Sequence, residues 1–281
     1  MYQIGLSTPC CHITDENLTS YRAAGLTVME ISDGIEGYTR FDFARARILA
    51  EKYGIKLNSI HLPFCPFTEI DISNSSLADH TVEYYRGLIE KGSEIGVKIF
   101  VLHASGEPIK EARQLRMDTA KKSLVRLSEI AKQNGAVIAV ENLPRTCLGK
   151  NSEEIKELLS AHESLRACFD TNHLLAEPTA DFMRNIGDKI ITLHVSDYDF
   201  VNERHWLPGE GKVNWQEVLS ILDDLGYDGP WMYEMSLTCP KTILRDRALT
   251  HVDLMQNARE LFEGKTPTVI SRPKPNLGWW E

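Results

Sequence analysis

The chain has 281 residues, 42% of them hydrophobic and 25% charged, with a formal net charge of −9. That length supports a full hydrophobic core without disulfide staples. The carboxylate excess, with a pI near 5.5, disfavours a broad nucleic-acid footprint, which needs a basic face to neutralise phosphates.

Short apolar, β-branched runs alternate with longer stretches of helical period, the pattern of consecutive βα units in a parallel sheet. The first run is Ile4-Gly5-Leu6-Ser7, followed by a helix that Thr14 or Asp15 can cap. Val28-Met29-Glu30-Ile31 is the second, with a helix over 41–53, and Leu57-Asn58-Ser59-Ile60-His61 is the third, with a helix over 77–95. The fourth, Lys98-Ile99-Phe100-Val101-Leu102-His103, is followed by helical period over much of 110–133. Val137-Ile138-Ala139-Val140-Glu141 is the fifth, and its helix over 152–160 opens on a Ser152-Glu153-Glu154 cap pattern. Ala167-Cys168-Phe169-Asp170 precedes a weak helix over 181–186, and Ile190-Ile191-Thr192-Leu193-His194-Val195 precedes one over 215–225. Trp231-Met232-Tyr233-Glu234-Met235 is the eighth run, and 241–262 reads as one final helix.

Eight units in one chain is the count that closes a (β/α)8 barrel. No Gly-x-Gly-x-x-Gly follows the first strand, as a doubly wound open sheet that binds a dinucleotide would have. A single α/β barrel domain is therefore expected over 1–265. The tail over 266–281, with Pro267, Arg272-Pro273-Lys274-Pro275 and Gly278-Trp279-Trp280, has no periodicity. It is expected to wrap the barrel or to meet a neighbouring subunit of a homo-oligomer.

The six cysteines, Cys10, Cys11, Cys65, Cys147, Cys168 and Cys239, include no CxxC pair and read as free thiols of a reducing compartment. Met1-Tyr2-Gln3-Ile4-Gly5-Leu6 runs straight into a strand, without a basic segment followed by an apolar one. No apolar run is long enough to span a bilayer. A cytoplasmic protein without a membrane partner is expected.

The ionisable residues are the informative feature. His61, His103, Glu141, Asp170 and His194 each end an apolar run, and Glu234 lies at the same level of the eighth. In a parallel barrel all such ends open on one face, where active sites are built. Singly, each reads as a hydrogen-bonded or solvated side chain; together, several carboxylates in one basin repel each other, and a divalent cation resolves that repulsion. Glu141, Asp170, His194 and Glu234 offer three carboxylates and one imidazole, a donor set suited to Mn2+, Co2+ or Mg2+, with Zn2+ also accommodated. His173 follows Asp170 by three residues, and Glu203-Arg204-His205-Trp206-Leu207-Pro208-Gly209-Glu210-Gly211 forms a long loop whose Arg204 and His205 can reach a hydroxylated or anionic ligand.

The set Ile60-His61-Leu62-Pro63, Val101-Leu102-His103, Ala139-Val140-Glu141-Asn142, Phe169-Asp170-Thr171-Asn172-His173, Leu193-His194-Val195-Ser196-Asp197, Pro208-Gly209-Glu210-Gly211 and Tyr233-Glu234 resembles the xylose-isomerase-like TIM-barrel superfamily of sugar phosphate isomerases and epimerases. The likeness is to its ketose 3-epimerase branch. It implies one divalent ion, Mn2+ or a similar metal, on Glu141, Asp170, His194 and Glu234, with the two glutamates acting as acid and base on opposite faces of the substrate. It also implies substrate contacts from His173, and from Arg204 or His205 in the loop; His61 and His103 are expected to line the same pocket from their strand-end positions.

The expected substrate is a small sugar, sugar phosphate or hydroxy-ketone, with a proton moved next to the carbonyl. The same superfamily contains endonuclease-IV-type zinc phosphodiesterases, whose first two histidines match His61 and His103 and whose Asp-x-x-His matches Asp170 and His173. Their Asp-x-His motif is replaced here by Glu203-Arg204-His205. That nuclease reading and a polyol dehydratase are the alternatives. A non-catalytic sugar-binding barrel would need neither Glu141 nor Glu234.

Overall fold

The computed structural model describes residues 2–64, 69–107 and 112–274. Met1, Cys65, Lys110, Pro275, Gly278, Trp279 and Trp280 lie outside the described residues. In chain order the elements are β1 (Ile4–Thr8), α1 (Asp15–Ala24), β2 (Val28–Ser32), α2 (Ile35–Arg40), α3 (Phe43–Tyr53), β3 (Lys56–His61), α4 (Ala78–Glu94), β4 (Ile99–Leu102) and α5 (Arg113–Gln133). They continue with β5 (Val137–Glu141), α6 (Ser152–Leu159), β6 (Arg166–Asp170), α7 (Thr179–Ile186), β7 (Ile190–His194), α8 (Trp215–Asp224), β8 (Trp231–Tyr233), β9 (Ile243–Arg245), α9 (His251–Phe262) and β10 (Ser271–Pro273).

The first eight strands form one parallel sheet in the order β7-β6-β5-β4-β3-β2-β1-β8. A bridge between Val195 and Tyr233 joins its two ends, through Val195 N–H to Met232 O at 2.8 Å and Glu234 N–H to Val195 O at 3.1 Å. The sheet is thereby a (β/α)8 barrel, as the eight units required. The main core lies between strands and helices, while Val101, Ala139 and Cys168 form a separate small cluster. Residues two apart on a strand share a face, so this trio sits one step below His103, Glu141 and Asp170.

Three segments differ from the sequence expectation. The helix expected over 41–53 is α3, which starts at Phe43 where the Asp42 carboxylate accepts the Arg45 N–H at 2.9 Å, and a short helix that was not expected, α2, precedes it and stops at Arg40. Helix α6 is capped by Asn151, one residue earlier than the Ser152 pattern, through Glu154 N–H to Asn151 Oδ1 at 3.0 Å. The Ser152 hydroxyl is instead engaged by Glu177, Oγ donating to Oε1 at 2.7 Å, and the Glu154 carboxylate is occupied by Arg113 and by the Gly149 N–H. Finally, only His251–Phe262 of the stretch 241–262 is helical, opened by a Thr250–Asp253 capping box. Residues 243–245 are instead β9, paired antiparallel with β10 from the tail, and Arg245 is buried against Glu210.

The five described cysteines are free. Among the described residues no helix is long and apolar enough to cross a membrane.

Candidate metal centre

Strand alternation sets the site. Glu141, Asp170 and His194 end β5, β6 and β7, and Glu234 directly follows β8. The first three are fully buried. The Asp170 loop is held by a reciprocal pair: Asn142 Nδ2 donates to Asp170 O at 2.9 Å and Asp170 N–H donates to Asn142 Oδ1 at 2.8 Å.

The four side chains converge. His194 Nδ1 lies 3.2 Å from Glu141 Oε1, 3.5 Å from Glu234 Oε1 and 3.9 Å from Asp170 Oδ2. Glu141 Oε1, Asp170 Oδ2, His194 Nδ1 and Glu234 Oε2 are all buried without a hydrogen-bond partner. An orphaned buried polar atom costs about 1–3 kcal/mol, more when charged, so four in one basin call for a shared cation. The donor set fits a divalent ion. Two groups have ligand atoms within 4.8 Å of one another: His61 with Glu141, His194 and Glu234, and Asp170 with Glu141 and His173.

Electrostatics show the same demand. Burial drives the Asp170 carboxyl well above its ordinary range against the pull of His173, with Glu234 and Glu141 adding to the rise. Burial pushes Glu141 the same way, but His194 and His103 overturn it and hold that carboxyl well below the usual range. Glu234 is brought down to about 2, His194 outweighing burial and the repulsion of Glu141. Three adjacent carboxylates cannot all ionise cheaply without a cation.

Histidines surround this basin. His61 Nε2 and His103 Nε2 both meet Glu141 Oε2, at 3.1 and 3.2 Å. His173 Nδ1 donates to Asn142 O at 3.0 Å, and its Nε2 lies 3.2 Å from Glu203 Oε1. His205 sits at a φ of 48°, its Nδ1 3.1 Å from Glu234 O. A cavity of about 180 Å³ opens beside the centre, with His103, His173, Glu203, His205, Arg145 and Glu234 in its wall. Glu141 lies behind that wall, in contact with His103 and His173.

Arg204 departs from the expectation of a ligand contact. Its side chain is buried, with Nε donating to Asp199 Oδ2 at 2.9 Å and the guanidinium over the Trp206 ring. It does not border the cavity. Residues Pro208-Gly209-Glu210-Gly211 are likewise engaged in structure. Gly209 has a φ of 95°, and a Cβ on Gly211 would lie 2.2 Å from Asp197 Oδ1. Glu210 Oε1 accepts from Arg245 Nε at 3.0 Å.

Sequence reasoning missed Glu30, Glu203 and Arg145. Glu30 is fully buried on β2, with Oε1 2.9 Å from His194 Nε2. Its signal was a carboxylate inside a fully apolar strand, which is almost never buried unless paired. Glu203 lies between His173 and Arg145, whose Nη1 is 3.1 Å away. Arg145 also binds Glu107, and nothing in its sequence neighbourhood marks that network.

The sequence profile described as xylose isomerase-like TIM barrel matches residues 18–258. A Methanocaldococcus jannaschii protein of undefined function is 31% identical over 191 residues, covering 64% of this chain and 64% of that protein. Fructoselysine 3-epimerase of Escherichia coli O157:H7 is 33% identical over 89 residues, 29% of this chain and 32% of the epimerase. The chain thus spans less than two thirds of the length of either relative. The solved structure of an L-ribulose 3-epimerase superposes with a TM-score of 0.77 at 17% identity, covering 94% of both chains, which is a likeness of fold. The match over 18–258 takes in seven of the eight barrel strands and the helices between them, and the chain belongs to the xylose isomerase-like TIM barrel family.

Proposed function

We propose that this protein is a metal-dependent isomerase or epimerase that moves a proton on the carbon beside the carbonyl of a small sugar, sugar phosphate or hydroxy-ketone. The observation that carries the reading is the convergence of four orphaned buried atoms, one each from Glu141, Asp170, His194 and Glu234, next to a cavity walled by histidines. Similarity to proteins named as 3-epimerases of fructoselysine and L-ribulose supports it.

Glu141, Asp170, His194 and Glu234 would hold one divalent ion, Mn2+ in first place and Co2+, Mg2+ or Zn2+ as alternatives. Bound there, it would supply the positive charge that stabilises an enolate oxygen. Glu234 borders the cavity and, against burial, its carboxyl is held down to about 2 by His194, which supports a role as the base that takes the proton. Glu141 is held as a carboxylate too. As the second group of the acid–base pair it would first take up a proton from His103 or His173, which contact it. It would then deliver that proton to the carbon while Glu234 keeps the one removed. His103, His173 and His205 stand in the cavity wall as donors and acceptors for substrate hydroxyls.

The test is solvent-deuterium incorporation at the carbon next to the carbonyl, across ketoses and their phosphates, with metal-loaded wild type, Glu141→Gln and Glu234→Gln. Each variant should exchange about 10²–10⁴-fold more slowly. Wild-type rates in both variants would remove them from the acid–base role. Exchange on no ketose in the panel would favour a dehydratase, which the release of water from a cyclic polyol would reveal.

One observation favours a second reading. His61 and His103 share Glu141 Oε2, as a multinuclear zinc phosphodiesterase would need. Against it stand the net charge of −9 and the engagement of Glu203 by Arg145.

A further inference from the structure

The carboxylate of Glu30 lies one layer beneath the metal centre and is not one of its proposed ligands. In the sheet register Ser7 pairs with Glu30 and Glu30 pairs with Ser59, so three polar residues on adjacent strands line up inside the barrel. Both serine hydroxyls donate to it, Ser7 Oγ to Oε1 at 2.8 Å and Ser59 Oγ to Oε2 at 2.8 Å. The third partner comes from the far side of the barrel: His194 Nε2 stands 2.9 Å from Glu30 Oε1. Glu30, Ser59 and His194 are all fully buried.

A buried carboxylate accepts only, so the ring nitrogen facing it must carry the proton. Nδ1 of the same ring then presents its lone pair, and Nδ1 is the nitrogen that faces Glu141, Asp170 and Glu234 without a hydrogen-bond partner. Two serines fix the carboxylate, the carboxylate fixes the imidazole, and the imidazole is left in the one tautomer that can ligate a cation. A histidine ligand whose other nitrogen donates to a carboxylate is also a stronger ligand, because its basicity rises.

We propose that Glu30 is the positioning residue of the metal centre, setting the tautomer and ring orientation of His194 from β2 across the barrel. The inference rests on the metal reading given above and adds a fifth residue to it. A purely structural Glu30, one that only links β1, β2 and β3, would lower stability when changed and leave metal affinity alone.

The experiment uses the full chain, stripped of metal, and titrates Mn2+ calorimetrically into wild type and Glu30→Gln. Glutamine keeps the shape and one acceptor while removing the charge. Weakening of Mn2+ affinity by about 10–100-fold is expected, with far-ultraviolet circular dichroism unchanged. Equal affinity in the two proteins overturns the proposal and leaves the metal centre standing. A wild type that binds no Mn2+ overturns the metal centre and the proposal together. Because Glu30→Gln could fail to fold, nitrogen-15 NMR of the wild-type His194 ring, loaded with diamagnetic Zn2+, gives an independent measurement. Protonation at Nε2 alone is expected, and a proton on Nδ1 overturns the proposal.

Discussion

Glu203 carries its charge in a half-enclosed position between two cations, and its titration is the clearest single-residue signature outside the metal basin. Burial pushes its carboxyl up, but His173 and Arg145 outweigh burial and bring it from the ordinary 4.5 down to about 2. A carboxylate depressed on folding contributes stability that is complete above the unfolded value and is lost as pH falls through the folded one. For Glu203 that window runs from 4.5 down to about 2. Its size is on the order of 2 kcal/mol, since one pKa unit is about 1.4 kcal/mol and solvent screens part of the gain. Urea unfolding of metal-free wild type and Glu203→Gln from pH 6 to pH 2 should show the gap between them closing below 4.5. A gap that stays constant with pH would show that Glu203 acts through packing instead of charge.

The same scale explains what the sequence revealed about the site. A polar residue that ends a β-branched run is conspicuous, which is why His61, His103, Glu141, Asp170, His194 and Glu234 could be read directly. Glu30 was hidden because its partners, Ser7, Ser59 and His194, come from three other strands. The direction of the Arg204 side chain was not legible for a related reason: position in a loop does not say which way a long side chain turns, and Asp199, five residues earlier, captures it.

Among the elements, the loop from β7 to α8 is organised by one side chain. Asp197 accepts the N–H groups of Tyr198 and Val213 on Oδ1, and those of Gly209 and the Trp215 indole on Oδ2. Removing the carboxylate strands several buried donors, each costing about 1–3 kcal/mol. Asp197→Ala should therefore destabilise the protein by at least about 3 kcal/mol in urea unfolding; a loss below 1 kcal/mol would show that the loop is held elsewhere. Helix α9 offers a milder case. Its Thr250–Asp253 capping box predicts a loss of roughly 1 kcal/mol for Thr250→Ala, and an unchanged midpoint would mean that α9 is held by packing alone. The strands were legible because buried parallel strands are continuous apolar runs. The segment 241–250 was not, since a single strand that pairs with the tail leaves no local period, and its pairing with residues 271–273 is a long-range contact.

At the scale of the whole molecule, a closed barrel brings residues from seven strands into one basin: Glu30, His61, His103, Glu141, Asp170, His194 and Glu234. Glu141, Asp170 and Glu234, with Glu30 beneath them, crowd four carboxylates into that basin, so part of the folding free energy is expected to depend on the ion. A ligand that binds only the folded chain stabilises it by about 2.7 kcal/mol at a hundredfold excess over its dissociation constant. For a protein of this size that is a rise in unfolding midpoint on the order of 5–10 °C. Thermal scans with Mn2+ should show this rise, a chelator should reverse it, and the Asp170→Ala, His194→Ala double variant should lack it. Metal analysis of the same samples should give one equivalent per chain. Two or three equivalents would transfer weight to the multinuclear phosphodiesterase, in which His61 and His103 bind metal themselves. A midpoint shift that survives in the double variant would place the ion away from these strand ends and remove the ligand set on which the proposed chemistry rests.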